Sequence, residues 1–68
     1  MITYDPLTKT LQKRNKSIYS LVKDKIIGGG TLNRIRANQS VSLDTINQIC
    51  NYLHCKITDV ILYTPDDK

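Results

Sequence analysis

Sixty-eight residues with ten Lys/Arg against six Asp/Glu, a net +4, are enough for one domain and no more. A chain this short buries only about 60% of the surface its unfolded form exposes, so its core is marginal and help from a partner chain suits its size. No apolar stretch approaches the ~20 residues of a bilayer span and no signal-peptide pattern opens the chain, so a membrane role is not expected and a cytoplasmic setting is.

In chain order, Tyr4-Asp5-Pro6 opens a first helix, with Asp5 as its cap and Pro6 at the first helical position, where a missing N–H costs nothing. Leu7 and Leu11 supply its buried stripe, Lys9 and Lys13 its wet one, and Arg14-Asn15-Lys16 stops it. Ser17 caps a second helix in which Ile18, Leu21 and Val22 recur at helical spacing. Lys23-Asp24-Lys25 then leads to Ile26-Ile27 and three glycines. A third helix begins near Gly28, buries Leu32 and Ile35, and ends around Ala37-Asn38, asparagine being tolerant of a left-handed stop. Ser42 caps the fourth and longest helix, whose apolar positions Leu43, Ile46, Ile49, Cys50 and Leu53 trace one face. Asp44 in its first turn suits the helix dipole. A fifth, short helix is expected from Ile57 to about Leu62. Residues 60–63 would also suit a strand, but an isolated strand has nothing to pair with inside this chain. Thr64 to Lys68 reads as a frayed tail. The expected fold class is all-α, a compact five-helix bundle.

Charge is segregated along this frame. Lys9, Lys13, Arg14, Lys16, Lys23, Lys25, Arg34 and Arg36 share the segment 9–37 with one acid, Asp24, giving it +7; the rest of the chain carries −3. Such a division predicts one polyanion-binding face. Its sharpest part is the third helix, where Thr31, Asn33, Arg34 and Arg36 stand on the side that Leu32 and Ile35 leave free. A guanidinium can give two hydrogen bonds to a guanine edge. Thr31, Asn33 and Arg34 are therefore candidate base or groove contacts. Asn38, Gln39 and Ser40 in the following loop are candidate phosphate contacts, as is Ser17.

Gly28, Gly29 and Gly30 lack the following Lys-Ser/Thr and the preceding strand of a P-loop. They read either as a flexible turn before a helix, at a cost in stability, or as a place where bare backbone N–H groups approach a phosphate. Cys50, His54 and Cys55 read as a metal site short of the four ligands structural zinc wants, as a disulfide, or as apolar packing at a helix end; the last is the favoured reading. With no carboxylate pair, no Ser/His/Asp set and a single histidine, the chain is not expected to be an enzyme, to hold a cofactor or to take a small-molecule ligand.

Taken together, LV at 21–22, the core position Ile27, TLNRIRAN at 31–38, SLDTINQICNYL at 42–53 and ITDVI at 57–61 resemble the Cro and phage-repressor type of helix-turn-helix family over residues 5–63. The resemblance implies a lambda-repressor-like module that binds double-stranded DNA as a transcriptional regulator. A repressor is expected rather than an activator, because promoter occupancy alone suffices. The chain departs from the family pattern in three ways. Ile26 stands where the family has a positive-φ glycine, so the turn is expected to be rebuilt. Lys25 replaces an apolar residue, and the first base-reading positions fall on Gly28–Gly30. A protein-interaction or antitoxin-like module with a blunted recognition helix is the alternative. Two copies reading half-sites about 34 Å apart would give a single small domain enough discrimination. A homodimer is expected on that ground, with Leu62 and Tyr63, at the outer end of the last helix, as its contact.

Overall fold

The computed structural model describes residues 1–66. Their elements run β1 (Ile2–Thr3), α1 (Asp5–Lys13), α2 (Ile18–Lys23), α3 (Gly29–Arg36), α4 (Leu43–Leu53), a 3-10 turn (Ile57–Asp59) and β2 (Leu62–Tyr63). There are thus four α-helices among the described residues, not five. The segment expected to be a fifth helix shortens to one 3-10 turn and then becomes a strand. Its partner is the N-terminus: β1 and β2 pair antiparallel, Ile2 opposite Tyr63 and Thr3 opposite Leu62. The Met1 ammonium donates to the Thr64 carbonyl at 2.7 Å and pairs with Asp66 at 2.9 Å. The Thr64 amide returns a bond to Met1 at 2.8 Å. Of the expected tail, residues 64–66 are therefore tied to the N-terminus, and residues 67 and 68 lie outside the described residues. No helix among those described is long and apolar enough to cross a membrane.

The helices pack around Leu7, Leu11, Leu21, Ile27, Leu32, Ile35, Ile46, Ile49, Leu53 and Val60, with Tyr4 closing one side. Leu7 and Leu11 of α1 lie one helical turn apart, as do Ile46, Ile49 and Leu53 along α4, so each helix turns a single stripe inward. Polar contacts lock α1 to the far end of the chain. The Thr10 hydroxyl donates to the Asp59 carbonyl at 2.7 Å, and Arg14 donates to the carbonyls of Leu53 and His54 at 2.8 and 3.2 Å. Those carbonyls end α4, where no later amide of the helix can reach them.

Each of the four helices stops the same way. Asn15, Lys25, Asn38 and His54 adopt left-handed backbone, with φ of 56°, 62°, 56° and 53°. The amide one residue further on reaches back across the helix end: Lys16 to the Leu11 carbonyl at 2.9 Å, Ile26 to Leu21 at 2.8 Å, Gln39 to Arg34 at 2.7 Å and Cys55 to Cys50 at 3.1 Å. This closure satisfies carbonyls left over at a helix C-terminus and favours glycine or asparagine at the left-handed position. The rebuilt turn expected at Ile26 is here: positive φ falls one residue earlier, on Lys25, and Ile26 packs against the core.

Two helix starts also differ from expectation. Asp5 lies inside α1, whose cap is Tyr4, and no side chain caps it. Leu43, counted on the buried face of α4, is 76% exposed, because it sits in the first turn before the helix reaches the core. Ser42 does cap α4, accepting the Thr45 amide at 3.1 Å.

Candidate nucleic-acid interface

The helix-turn-helix is formed by α2, the turn 24–28 and α3. Ser17 starts α2 with its amide donating to the Ser20 hydroxyl at 3.2 Å, half of a reciprocal capping arrangement. At the other end of α2, the amides of both Ile26 and Ile27 converge on the Leu21 carbonyl, at 2.8 and 3.1 Å. Ile27 is thereby folded under the turn and buried. From α4, the Tyr52 hydroxyl donates to the Asp24 carboxylate, while the Lys16 ammonium lies 4.9 Å from the centre of the Tyr52 ring. The bond to Asp24 holds the Tyr52 hydroxyl above its ordinary pKa, and Lys16 opposes that shift. The turn is thus braced from two sides.

Leu32 and Ile35 anchor α3 in the core. Their burial rotates Asn33 and Arg34 into solvent and leaves Thr31 at the edge. Among the described residues no carboxylate pairs with Arg34, the one ion pair being that of the N-terminus. Thr31 and Arg34 line a shallow cleft with Ser40, Val41, Ser42 and Thr45, between α3 and the start of α4. One strong hydrogen-bond donor and several hydroxyls therefore share a concave surface beside the exposed side of α3. Ser42 and Thr45 are additions to the sequence reading: Ser42 carried only a structural signal, as the cap of α4, and Thr45 carried none.

Arg36 faces elsewhere. Its guanidinium donates to the Tyr19 hydroxyl at 3.1 Å and sits 5.9 Å from that ring's centre. It borders a second cleft, toward α1, with Asp5, Thr8 and Asn38. The basic segment is similarly divided: Arg14 and Lys16 are turned to α4, as described above.

The loop residues are held in place by Tyr4. Its amide donates to the Asn38 side-chain oxygen at 3.3 Å and its hydroxyl to the Gln39 carbonyl at 2.7 Å. Burial raises the Tyr4 hydroxyl above its ordinary pKa, so it remains a donor. The Asn38 oxygen and the Gln39 carbonyl are committed inside the protein, which leaves their side-chain NH2 groups and the Ser40 hydroxyl for any outside contact.

Gly28, Gly29 and Gly30 form the exposed start of α3. Gly28 is the cap, in extended backbone (φ −88°, ψ 172°), and no side chain caps the helix. None of the three glycines has positive φ, and a Cβ at any of them would meet nothing within 4 Å. The first amides of a helix have no intrahelical acceptor. Here they are bare of side chains as well, so an anion could approach them closely.

A family model for the Cro/C1-type HTH DNA-binding domain matches residues 6–66. Among solved structures the chain is similar to the crystal structure (Form II) of the transcriptional regulator VanUg. The TM-score is 0.87 at 29% sequence identity, over 96% of this chain and 87% of that one. No curated protein matches the chain significantly.

Proposed function

The chain belongs to the Cro/C1-type helix-turn-helix DNA-binding domain family, and from that premise we propose that it is a sequence-specific, double-stranded DNA-binding transcriptional repressor acting as a homodimer. The observation that carries this reading is the presentation of α3: Leu32 and Ile35 are buried while Thr31, Asn33 and Arg34 are left at the surface beside the cleft. Arg34 is the base reader in this proposal, with Thr31 and Asn33 in the groove. In this proposal the amides of Gly28–Gly30, the Ser17 hydroxyl and the side chains of Asn38, Gln39 and Ser40 hold phosphates, which fix register without reading sequence. Similarity to a transcriptional regulator supports the regulatory part of the reading. Repression follows from the economy of the mechanism, which needs only an occupied promoter.

The ribbon supports the dimer. Leu62 and Tyr63 lie on strand β2 rather than on a helix and are 47% and 63% exposed. Tyr63 is opposite Ile2, and cross-strand partners share a face. Ile2 in turn borders an apolar cleft with Val41, Leu43, Ile46 and Ile61. That cleft shares Ser40 and Val41 with the one beside Arg34. A second copy covering it would lie next to the DNA-facing loop.

Selection from random duplexes, followed by anisotropy titrations at several salt concentrations, tests the function. A preferred site should emerge, with log K falling by about 0.9 per neutralised phosphate for each unit of log salt. On that site Arg34→Ala should lose about 1–3 kcal/mol, and much less on unrelated DNA. Absence of duplex binding at low salt would instead favour the protein-interaction module. Sedimentation of the wild type and of a Leu62→Glu, Tyr63→Glu double variant tests assembly; a wild type that stays monomeric both free and on DNA refutes the dimer.

A further inference from the structure

The closure shared by the four helix ends brings two side chains together: that of the residue whose carbonyl accepts, and that of the residue whose amide donates. At α2 the pair is Leu21 and Ile26, an apolar contact belonging to the core and its margin. At α4 the equivalent pair is Cys50 and Cys55, both partly exposed and both free thiols. A disulfide needs Cα atoms roughly 4.4–6.8 Å apart. The 3.1 Å contact from the Cys55 amide to the Cys50 carbonyl keeps the two residues at close quarters across the cap.

We propose that Cys50 and Cys55 form a reversible dithiol–disulfide couple, an oxidative modification site at the end of α4 that reacts with low-molecular-weight disulfides. Cys50, as thiolate, attacks one sulfur of the reagent and displaces the other as a thiolate, leaving a mixed disulfide on Cys50. Cys55 then gives up its proton and attacks the Cys50 sulfur, displacing the second half of the reagent. The two protein thiols lose two electrons and two protons; the reagent disulfide takes up both and leaves as two thiols. Burial, with the neighbouring Cys50 thiol adding to it, pushes the Cys55 thiol up to about 11. Its thiolate is therefore scarce at neutral pH, and it serves as the second, resolving thiol. A soft metal ion is the less fitting occupant, since no group of three or more His, Cys, Asp or Glu able to hold a metal comes together among the described residues. The bond would join the last turn of α4 to the segment leading into the 3-10 turn. Arg14 already binds the Leu53 and His54 carbonyls at that junction, so the couple acts on a place where three parts of the chain meet.

The test is incubation of the full chain with excess oxidised glutathione, acid quenching and mass spectrometry. Wild type should lose the mass of two hydrogens, resist iodoacetamide, recover on treatment with dithiothreitol, and yield a peptide map joining 50 to 55 within one chain. Cys55→Ser should stop at one stable glutathione adduct on Cys50. Wild type that instead accumulates two glutathione adducts, or links two chains, overturns the proposal, and this outcome is read on the unmutated protein.

Discussion

The two sides of the turn between α2 and α3 are built from opposite materials. At Lys25 the backbone is left-handed, with φ of 62°, a conformation that suits glycine, yet the residue carries a long side chain. At Gly28–Gly30 the backbone is ordinary, with open space around every missing Cβ, yet side chains are absent. Helix formation would favour the reverse assignment on both sides. Lys25 meets a need of the fold with an ill-suited residue, whereas the glycines meet none that geometry or packing can identify. What distinguishes them is the bare surface they give α3, and surface is what a DNA-binding helix presents.

Four substitutions or measurements would break or sharpen that contrast. The largest effect belongs to the stop itself. The Leu21 side chain is fully buried beneath the turn, so Leu21→Ala should cost about 2–5 kcal/mol in urea unfolding. Next comes the start of α3. Gly29→Ala with Gly30→Ala should raise stability by about 1 kcal/mol per site. If bare amides meet phosphate, DNA affinity should fall in the same variant. Loss of stability would mean that the glycines are needed by the fold after all. Lys25→Gly should be milder, gaining up to about 1 kcal/mol, because relief of left-handed strain is offset by glycine's greater entropy when unfolded. A loss there would show that the lysine side chain matters more than its backbone.

The last measurement concerns the equivalent stop at α4. The Cys55 thiol is raised from 9.0 to about 11 in the folded chain. A group whose folded pKa is raised lends stability that is complete below its unfolded pKa. That contribution should persist to about pH 9 and disappear as pH climbs through 11. Urea midpoints across that range should fall further for the reduced wild type than for Cys55→Ala; parallel curves would deny the thiol its part.

Much of the frame was legible in the residues. Helical spacing located α1 to α4, Asn38 marked one of the left-handed stops, and Ser42 announced the start of α4, because these signals are local. The ribbon was not legible: each strand has two residues, too few for an alternating pattern, and its partner lies at the other end of the chain. Lys25 and His54 gave no warning of left-handed backbone, since neither is the usual residue there. Leu43 fitted the apolar spacing of α4 and still faces water, spacing being blind to where a helix first meets the core. In the candidate interface, the buried Leu32/Ile35 pair correctly forecast the exposure of Asn33 and Arg34. The diversion of Arg36 to Tyr19 and the tethering of the loop by Tyr4 depend on contacts between distant elements, which no single stretch of sequence displays.

The pairing of β1 with β2 also orders events in time. Thr64 and Met1 bond across a separation of 63 residues, whereas the helix stops join residues five apart. Closing the longer loop costs more entropy, and local contacts form sooner. On a ribosome the β1 segment is made first and must wait for β2, which emerges after every helix. The β1 edge thus stays unpaired until Leu62 and Tyr63 are free of the exit tunnel. In the finished protein a ribbon of two residues per strand, with Leu62 and Tyr63 exposed, should open before the helices, and its amides should lead the chain's hydrogen exchange.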